Sequence, residues 1–139
     1  MGALHIGTDG AGSIRMPAAF TGIYGLKPTF GRVPIYPMNM PGTIVHHGPM
    51  TRTVADAALM LNVISAPDPR DWTALPFNPR DWCVGLEEGV SGLRIAYSRN
   101  FGYANVNPEI AELVEKAAQV FADLGANVEE VDLEHILHV

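Results

Sequence analysis

The chain has 139 residues, of which 47% are hydrophobic and 17% are charged. This composition is typical of a globular protein and excludes an intrinsically disordered one, because the apolar content is sufficient to bury a core. Nine Lys and Arg residues against fifteen Asp and Glu residues give a net charge of −6. Surfaces that bind nucleic acid need clustered cations, so we expect no nucleic-acid partner.

Cysteine content and hydropathy indicate the compartment. The single cysteine, Cys83, can form no internal disulfide, so nothing indicates an oxidising environment. No apolar run approaches the roughly 20 residues that span a bilayer, and the N-terminus lacks the basic and apolar regions of a signal peptide. We therefore expect a cytoplasmic protein with no membrane partner. His135 and His138 have helical spacing without an H-E-x-x-H pattern, so we expect no metal site.

The first third of the chain predicts short elements around a glycine-rich loop. Residues 3–8 predict a short buried strand, residues 13–20 a short helix and residues 22–26 a second short strand. Prolines and glycines then recur and indicate a long irregular segment: Pro28, Gly31, Pro34, Pro37, Pro41 and Gly42. His46 and His47 are adjacent, so on a strand they would point to opposite faces, and a loop or cap position is expected.

The middle of the chain predicts one helix and a connector. Thr53 can cap a helix over residues 54–64. One apolar stripe of this helix is expected to be core: Val54, Ala57, Ala58, Leu61 and Ile64. Residues 66–80 are rich in Pro and Asp and are typical of a connector. We expect Trp72 and Phe77 to anchor it to the core rather than to line a substrate entrance.

The longest predicted helix runs from Pro108 to Leu124. Asn107 precedes it as a cap, Pro108 occupies the first helical position, and Gly125 can provide a left-handed stop. Its apolar residues share one face, which is expected to cover one side of a sheet: Ile110, Leu113, Val114, Ala117, Phe121 and Leu124.

Three segments of the last third have strand character, namely residues 82–86, 93–97 and 127–133. The strand, helix and strand from 93 to 133 predict a right-handed βαβ unit with parallel strands. Together with the earlier elements, this pattern predicts an α/β fold, a layered sandwich with a mixed or parallel sheet.

The loop Gly7-Thr8-Asp9-Gly10-Ala11-Gly12-Ser13-Ile14-Arg15 holds the strongest candidate for chemistry. Gly10 and Gly12 can adopt positive φ, and small residues let a reacting carbonyl approach the main-chain N–H groups. A phosphate-binding loop is disfavoured, because neither G-x-x-x-x-G-K-[ST] nor G-x-G-x-x-G occurs. On this fragment alone Ser13 is either a helix N-cap or a nucleophile beside an oxyanion site.

A longer run, GTDGAGSIRMPAAFTGIYGLKPTFGRVP at residues 7–34, resembles the core motif of the amidase signature family. Members of this family are serine hydrolases that cleave linear amides with a Ser–cis-Ser–Lys triad. The resemblance continues in the family's order with GPMTRTVADAALMLNVI at 48–64, GLRIAYS at 92–98 and NPEIAELVEKAAQVFADLGANVEEVDL at 107–133. It implies that the chain supplies the middle part of a large α/β/α sandwich.

The resemblance implies roles for the residues around Ser13. Ser13 would be the acyl-accepting nucleophile, and the oxyanion donors would be the backbone N–H groups of Gly10, Ala11, Gly12 and Ser13. The family commonly has Thr-Gly-Gly before the serine, where this chain has Gly10-Ala11-Gly12. Ala11 would be strained at positive φ and tolerated at negative φ.

The resemblance also implies roles for three residues near Ser13 and a requirement for a base. Thr8 and Asp9 would support the loop, and Arg15 would shape or charge the adjoining pocket. In the family the cis-serine and the catalytic lysine lie well before the nucleophile, whereas twelve residues precede Ser13 here. A serine hydroxyl is a weak nucleophile until a base takes its proton, so the chain alone is expected to be inactive.

No residue in the chain is an obvious replacement for that base. Lys27 lies in a Gly-Leu-Lys-Pro segment that the family also has, where it is not the triad lysine, so a structural or surface role is expected. His5 alternates with Leu4 and Ile6 and is expected to be a half-buried strand residue.

The sequence thus predicts an amidase that hydrolyses a small-molecule linear carboxamide through a serine acyl-enzyme, with no cofactor. Two alternatives stay open: an inert fragment that needs other segments or a partner, and an amidotransferase A-type subunit that passes ammonia to charged tRNA. We expect one partial domain, with the nucleophile loop in 1–34, a loop, helix and connector in 35–82, and a βαβ-like unit in 83–139. An open sheet edge would favour self-association.

Overall fold

The computed structural model describes residues 2–37 and 42–131, and the chain divides into two compact units between Leu86 and Glu87. The first unit contains β1 (Leu4–Asp9), α1 (Arg15–Thr21), β2 (Tyr24–Gly25), β3 (His46–Thr51) and α2 (Val54–Ile64). The second contains β4 (Arg94–Tyr97), α3 (Pro108–Asp123) and β5 (Asn127–Glu130). Helices and strands are therefore mixed, as the predicted α/β class requires. In the described part of the chain, no helix has the length and apolarity to cross a membrane.

The first unit is built on a three-stranded sheet of order β1-β3-β2 in which both pairs are antiparallel. The register places Asp9 opposite His46 and Leu4 opposite Thr51. Two predictions for these residues are wrong. Strand β1 is largely exposed rather than buried, and His46 begins a strand rather than a loop or cap. Gly48 and Pro49 weaken the strand propensity of β3, and its pairing with both neighbours overrides that weakness.

Ile14 anchors the segment between β1 and α1. Its side chain is fully buried and lies against two glycines of the sheet. A Cβ atom on Gly7 would lie 2.8 Å from Ile14 Cγ1, and one on Gly25 would lie 3.1 Å from Ile14 Cγ2. A side chain at Gly7 would displace Ile14 and Met50, and one at Gly25 would displace Ala18 and crowd Ile14. Helix α1 then begins at Arg15, two residues later than predicted, so Ser13 precedes the helix.

Helix α2 has the predicted bounds. Thr53 Oγ1 accepts a hydrogen bond from the Asp56 N–H at 3.1 Å, which satisfies one of the free amides of the first turn. The buried residues of the helix are Ala57, Ala58 and Leu61. Val54, at the start of the expected apolar stripe, stays 48% exposed, so the buried stripe is narrower than predicted.

The connector after α2 contains no helix or strand between residues 66 and 80, as predicted. Its aromatic residues do not anchor it, since Trp72 is 83% exposed and Phe77 is 56% exposed. A buried carboxylate does so instead: Asp71 accepts hydrogen bonds from the Ile35 N–H at 2.8 Å and from Thr73 Oγ1 at 2.6 Å. The prediction that Trp72 and Phe77 anchor the connector was wrong, because it considered only apolar side chains as anchors.

The second unit has the predicted strand, helix and strand. Strands β4 and β5 are parallel, Asn107 Oδ1 accepts a hydrogen bond from the N–H of the second residue of α3, and Gly125 has the left-handed φ of +92°. Two details differ. Residues 82–86, at the end of the first unit, form turns rather than a strand, and in the second unit the apolar face of α3 stays about half exposed. Residues 132–133 of the third predicted strand lie outside the described residues.

Burial along α2 predicts a difference between two leucines of that helix. Leu61→Ala removes a side chain that is 5% exposed, and we expect it to lower the free energy of unfolding by about 2–5 kcal/mol. Leu59→Ala on the same helix removes a side chain that is 56% exposed and should change it by about 0.5 kcal/mol or less. Urea unfolding followed by circular dichroism measures both. Equal losses would contradict the position of the core.

Candidate functional site

The loop between β1 and α1 exposes Ser13. Ser13 lies between two buried residues, Gly12 and Ile14, and is itself exposed. Among the described residues, none forms a hydrogen bond with Ser13 Oγ. Gly12 has a φ of +113°, whereas Gly10 and Ala11 are not in the left-handed region. Ala11 therefore carries its methyl group without backbone strain, and the positive φ falls on a glycine, which tolerates it.

Asp9 holds this loop in place. It is the last residue of β1, it is completely buried, and its two carboxylate oxygens receive five hydrogen bonds. Oδ1 accepts the Gly12 N–H at 2.6 Å and Arg15 Nη2 at 3.0 Å. Oδ2 accepts Arg15 Nε at 2.9 Å and the N–H groups of Ile14 and Arg15, both at 3.3 Å. The carboxylate thus caps the start of α1 from outside the helix, the position that Ser13 would occupy as an N-cap.

The electrostatics of the pair keep Asp9 ionised. The Arg15 guanidinium and the three N–H groups lower the pKa of Asp9 well below its usual value of 3.8, against the opposing effect of burial. Asp9 in turn raises the pKa of Arg15. The Arg15 side chain is 55% exposed, so the buried end of this ion pair is the carboxylate. Bidentate contact of this kind fixes orientation as well as charge.

The four predicted oxyanion donors fall into two groups. The Gly12 N–H points to Asp9 and is already engaged. The N–H groups of Gly10, Ala11 and Ser13 have no hydrogen-bond acceptor among the described residues. All three of these residues are exposed, on the same short stretch as the serine hydroxyl. The loop therefore presents backbone donors to solvent beside Ser13.

Thr8, His46 and His47 lie at the paired ends of β1 and β3, next to the loop. Thr8 is exposed on β1 opposite His47, and its side chain makes no hydrogen bond within the described part of the chain. His46 Nδ1 lies 3.2 Å from the Asp9 carbonyl oxygen and 3.0 Å from the Ile44 carbonyl oxygen, so it is a donor. Burial lowers the pKa of His47.

Neither of the remaining candidates for a base, His5 and Lys27, forms a hydrogen bond with Ser13 Oγ. His5 Nε2 lies 2.9 Å from the Gly2 carbonyl oxygen and is exposed on β1 rather than half buried. The half-buried Lys27 forms neither an ion pair nor a side-chain hydrogen bond with any described residue. Residues 2–37 and 42–131 contain no group of three or more His, Cys, Asp or Glu side chains placed to hold a metal ion. His135 and His138 lie outside these ranges.

Comparison with known proteins connects this loop to a family. The family model described as Amidase matches residues 1–139. This chain belongs to the Amidase family. A bacterial aryl acylamidase of the amidase signature family superposes on it with a TM-score of 0.86 and 46% identity, covering 95% of this chain and 27% of that one. The expected family, and its mixed α/β fold, are thus confirmed.

Two further relatives are components of a glutamyl-tRNA(Gln) amidotransferase. The A-type subunit from Ligilactobacillus salivarius is 44% identical over 131 residues, covering 94% of this chain and 27% of that protein. Its counterpart of the same name from Thermotoga maritima superposes with a TM-score of 0.82 and 34% identity, covering 96% of this chain and 30% of that one. The chain thus spans under a third of the length of these relatives.

Four residues with structural roles in the first unit had little or no sequence signal. Ile14 reads as an ordinary apolar residue of a helix, and Asp71 as a connector carboxylate. Gly7 and Gly25, which make room for Ile14, lie at the start and in the second half of the 7–34 motif that carries the serine. Glycines on β1 and β2, the two strands that flank β3, are the signal that could have predicted a large side chain packed over the sheet.

The Asp9 contacts predict an acid-sensitive loop. Asp9→Asn replaces an acceptor for five donors with an amide that faces some of them with its own N–H groups, so we expect a loss of about 3 kcal/mol in unfolding free energy at pH 7. Because the folded pKa is lowered, this contribution is present above the unfolded value of 3.8 and declines as the pH falls below it. The difference in stability between the wild type and Asp9→Asn should therefore shrink below pH 3.8.

Chemical unfolding at several pH values tests this, with Asp68→Asn as the matched control. Asp68 also forms a bidentate pair, with Arg70, and that contact lowers its pKa to about 2. The Arg70 side chain is 63% exposed and Asp68 is not buried, so the control should cost less stability than Asp9→Asn. Equal losses from the two substitutions would contradict the role of Asp9.

Proposed function

We propose that this chain carries the nucleophile and the oxyanion donors of an amidase. Ser13 Oγ attacks the carbonyl carbon of a carboxamide, and the N–H groups of Gly10, Ala11 and Ser13 bind the oxygen as it becomes negative. Ammonia or an amine leaves as the C–N bond breaks, and water then hydrolyses the acyl-enzyme to the acid. The observation that supports this most directly is an exposed serine hydroxyl beside backbone donors that have no acceptor among the described residues.

In this proposal Asp9 and Arg15 are positioning residues. By engaging the Gly12 N–H, Asp9 leaves Gly12 as a support of the loop rather than an oxyanion donor. Arg15 holds the Asp9 carboxylate from the solvent side and keeps it ionised. A loop whose donors are oriented before substrate binds does not have to reorganise as charge develops, which is the main source of oxyanion stabilisation.

The base that activates Ser13 is proposed to lie outside the described residues. No described side chain accepts a hydrogen bond from Ser13 Oγ. The resemblance to amidase signature enzymes favours a lysine that acts through a second serine, and the chain spans 27% of the aryl acylamidase it superposes on. We therefore propose that the 139 residues alone are inactive and that the chemistry requires further segments.

Transfer of ammonia to an acceptor is the second candidate function. Its support is the 44% identity to the glutamyl-tRNA(Gln) amidotransferase component, against 46% to an aryl acylamidase. Both candidates share the attack of Ser13 on an amide and differ in where the ammonia goes. The net charge of −6 offers no basic surface for tRNA in this chain, which favours simple hydrolysis.

A chimera tests the proposed nucleophile. Residues 1–139 replace the matching segment of the bacterial aryl acylamidase, which supplies the remaining parts of the fold. We expect hydrolysis of an anilide and a single fluorophosphonate adduct by intact mass. Ser13→Ala should abolish the adduct and lower kcat by at least about 10³-fold, because removal of a nucleophile disables the whole catalytic unit.

Ser91→Ala provides the matched control in the same chimera, since Ser91 is also exposed but lies in the second unit. It should keep both the adduct and the activity. An adduct that survives Ser13→Ala would overturn the assignment of the nucleophile. Transfer of ammonia to a charged tRNA acceptor in the presence of ATP, in place of its release, would favour the amidotransferase candidate over hydrolysis.

We further propose that the isolated 139-residue chain self-associates through β1. This strand pairs with β3 on one side, and on it Leu4 is 49% and Ile6 is 57% exposed. An apolar edge strand is a template for pairing with another chain. Light scattering should show a mass that rises with concentration, and Ile6→Lys should reduce it. A monomer at all concentrations would contradict this proposal.

A further inference from the structure

A cavity of about 140 Å³ lies in the first unit. Its main lining residues are Phe30, Ile35, Thr43, Val45, Trp72 and Thr73. None of the described lining residues carries a charged side chain. Trp72 lines the cavity and keeps 83% of its surface exposed, so the cavity is open to solvent. The cavity is therefore an apolar, accessible pocket with an aromatic wall.

The walls of this pocket are held by Asp71. Its carboxylate accepts the Ile35 N–H at 2.8 Å and, through the other oxygen, the Thr73 N–H at 2.9 Å and Thr73 Oγ1 at 2.6 Å. Ile35 and Thr73 come from segments 38 residues apart, and one buried carboxylate joins them. The Leu75 N–H also donates to the Gly31 carbonyl oxygen at 2.8 Å. These hydrogen bonds hold the 31–35 and 71–75 segments together, so the walls of the pocket have defined positions.

Two contacts connect the pocket to the nucleophile loop. A Cβ atom on Gly10 would lie 3.6 Å from Val45 Cγ2, so the pocket wall touches the loop at Gly10. The Phe30 ring meets the His46 ring edge-on with centroids 6.0 Å apart, and His46 Nδ1 donates to the Asp9 carbonyl oxygen. Two residues lie between Gly10 and Ser13, so their Cα atoms are at most about 11 Å apart. The pocket wall therefore contacts the nucleophile loop at Gly10, three positions before Ser13.

We infer that this pocket is a substrate subsite, which binds an uncharged apolar ring carried by the amide that Ser13 attacks. The inference rests on the proposed function and specifies its substrate class. An apolar cavity of about 150 Å³ is known to accommodate benzene, so the volume matches a single six-membered ring. A charged group is disfavoured, because the described residues that line the pocket offer no charged partner to offset its desolvation.

The ring can be attached on either side of the scissile bond. Benzamide carries it on the acyl side and acetanilide carries it on the amine side, so the two compounds distinguish the acyl subsite from the leaving-group subsite. Acetamide has the same amide without a ring. 4-Carboxybenzamide has the ring of benzamide with an added negative charge.

Binding to the Ser13→Ala chain measures the subsite without catalysis. Backbone amide shifts of Thr43 and Thr73 are followed by NMR as each compound is added. We expect benzamide or acetanilide to shift both signals with saturation, acetamide to leave them in place at the same concentrations, and 4-carboxybenzamide to bind at least tenfold more weakly than benzamide. Absence of saturable shifts with both ring compounds would overturn the inference, as would equal binding of acetamide.

Two neighbouring substitutions locate the binding. Thr43→Trp places an indole in the pocket and should weaken the Kd of the ring compound at least tenfold. Ile44→Trp adds the same group at the next residue, which is 58% exposed and does not line the pocket, and should stay within twofold. If Thr43→Trp does not fold, Trp72→Ala removes an exposed wall and should also weaken binding. Unchanged binding in the folded variants would overturn the inference.

The outcomes separate this inference from the proposed function. Ring binding in the Ser13→Ala chain together with an unlabelled Ser13 in the chimera would disprove the nucleophile and keep the pocket. Labelling of Ser13 without ring binding would support the nucleophile and disprove the pocket as a ring-binding subsite. In an active chimera, Thr43→Trp should raise KM for the ring-bearing amide at least tenfold and leave kcat/KM for acetamide within twofold.

Discussion

The buried carboxylate of Asp9 is the interaction on which the rest of this structure depends. An ionised carboxylate in the protein interior is unfavourable unless its charge and its lone pairs are satisfied. Asp9 meets this condition with the Arg15 guanidinium and with three backbone N–H groups. Satisfying the charge dictates the path of the chain over the next six residues. The loop that presents Ser13 is therefore a consequence of how one carboxylate is neutralised.

The packing of Ile14 determines which side of the loop faces solvent, which the Asp9 contacts alone do not determine. Asp9 sets the direction of three peptide groups, but the side of the loop that faces solvent is decided by Ile14, which is buried over Gly7 and Gly25. Because successive residues here alternate between buried and exposed, seating Ile14 places Ser13 outward. The electrostatic and apolar constraints act on adjacent residues and agree, as expected of a segment with a single well-defined conformation.

The parts of the fold that could be predicted from sequence are those whose contacts are local. Helix α2 has its predicted bounds because Thr53 supplies its own cap, and α3 begins after Asn107 and stops before Gly125 for the same reason. The candidate serine came from a motif of nine contiguous residues. Strand β3 was missed, since its pairing with β1 joins residues about 40 positions apart and its own Gly48 and Pro49 argue against a strand.

The pocket could not be predicted for the same physical reason. Phe30, Val45 and Trp72 are far apart in sequence, and Asp71 helps to bring their segments together through hydrogen bonds that no local pattern encodes. A connector rich in Pro and Asp predicts turns, and it gives no indication that one of its carboxylates turns inward. Exposed Trp72 was expected to be an anchor, whereas its position on the pocket wall suits contact with a ligand.

The proposed site separates two requirements of amide cleavage. Stabilisation of an oxyanion depends on backbone groups held rigid by nearby contacts, and Asp9, Arg15 and Ile14 provide those contacts within nine residues of one another. Removal of the serine proton depends on a base, and no described residue accepts a hydrogen bond from Ser13 Oγ. In serine hydrolases that lack a triad member, the oxyanion site and binding alone retain about 10³–10⁴-fold catalysis over water. In the proposed site, the backbone donors of this chain would supply that smaller share, and the base would supply the larger one.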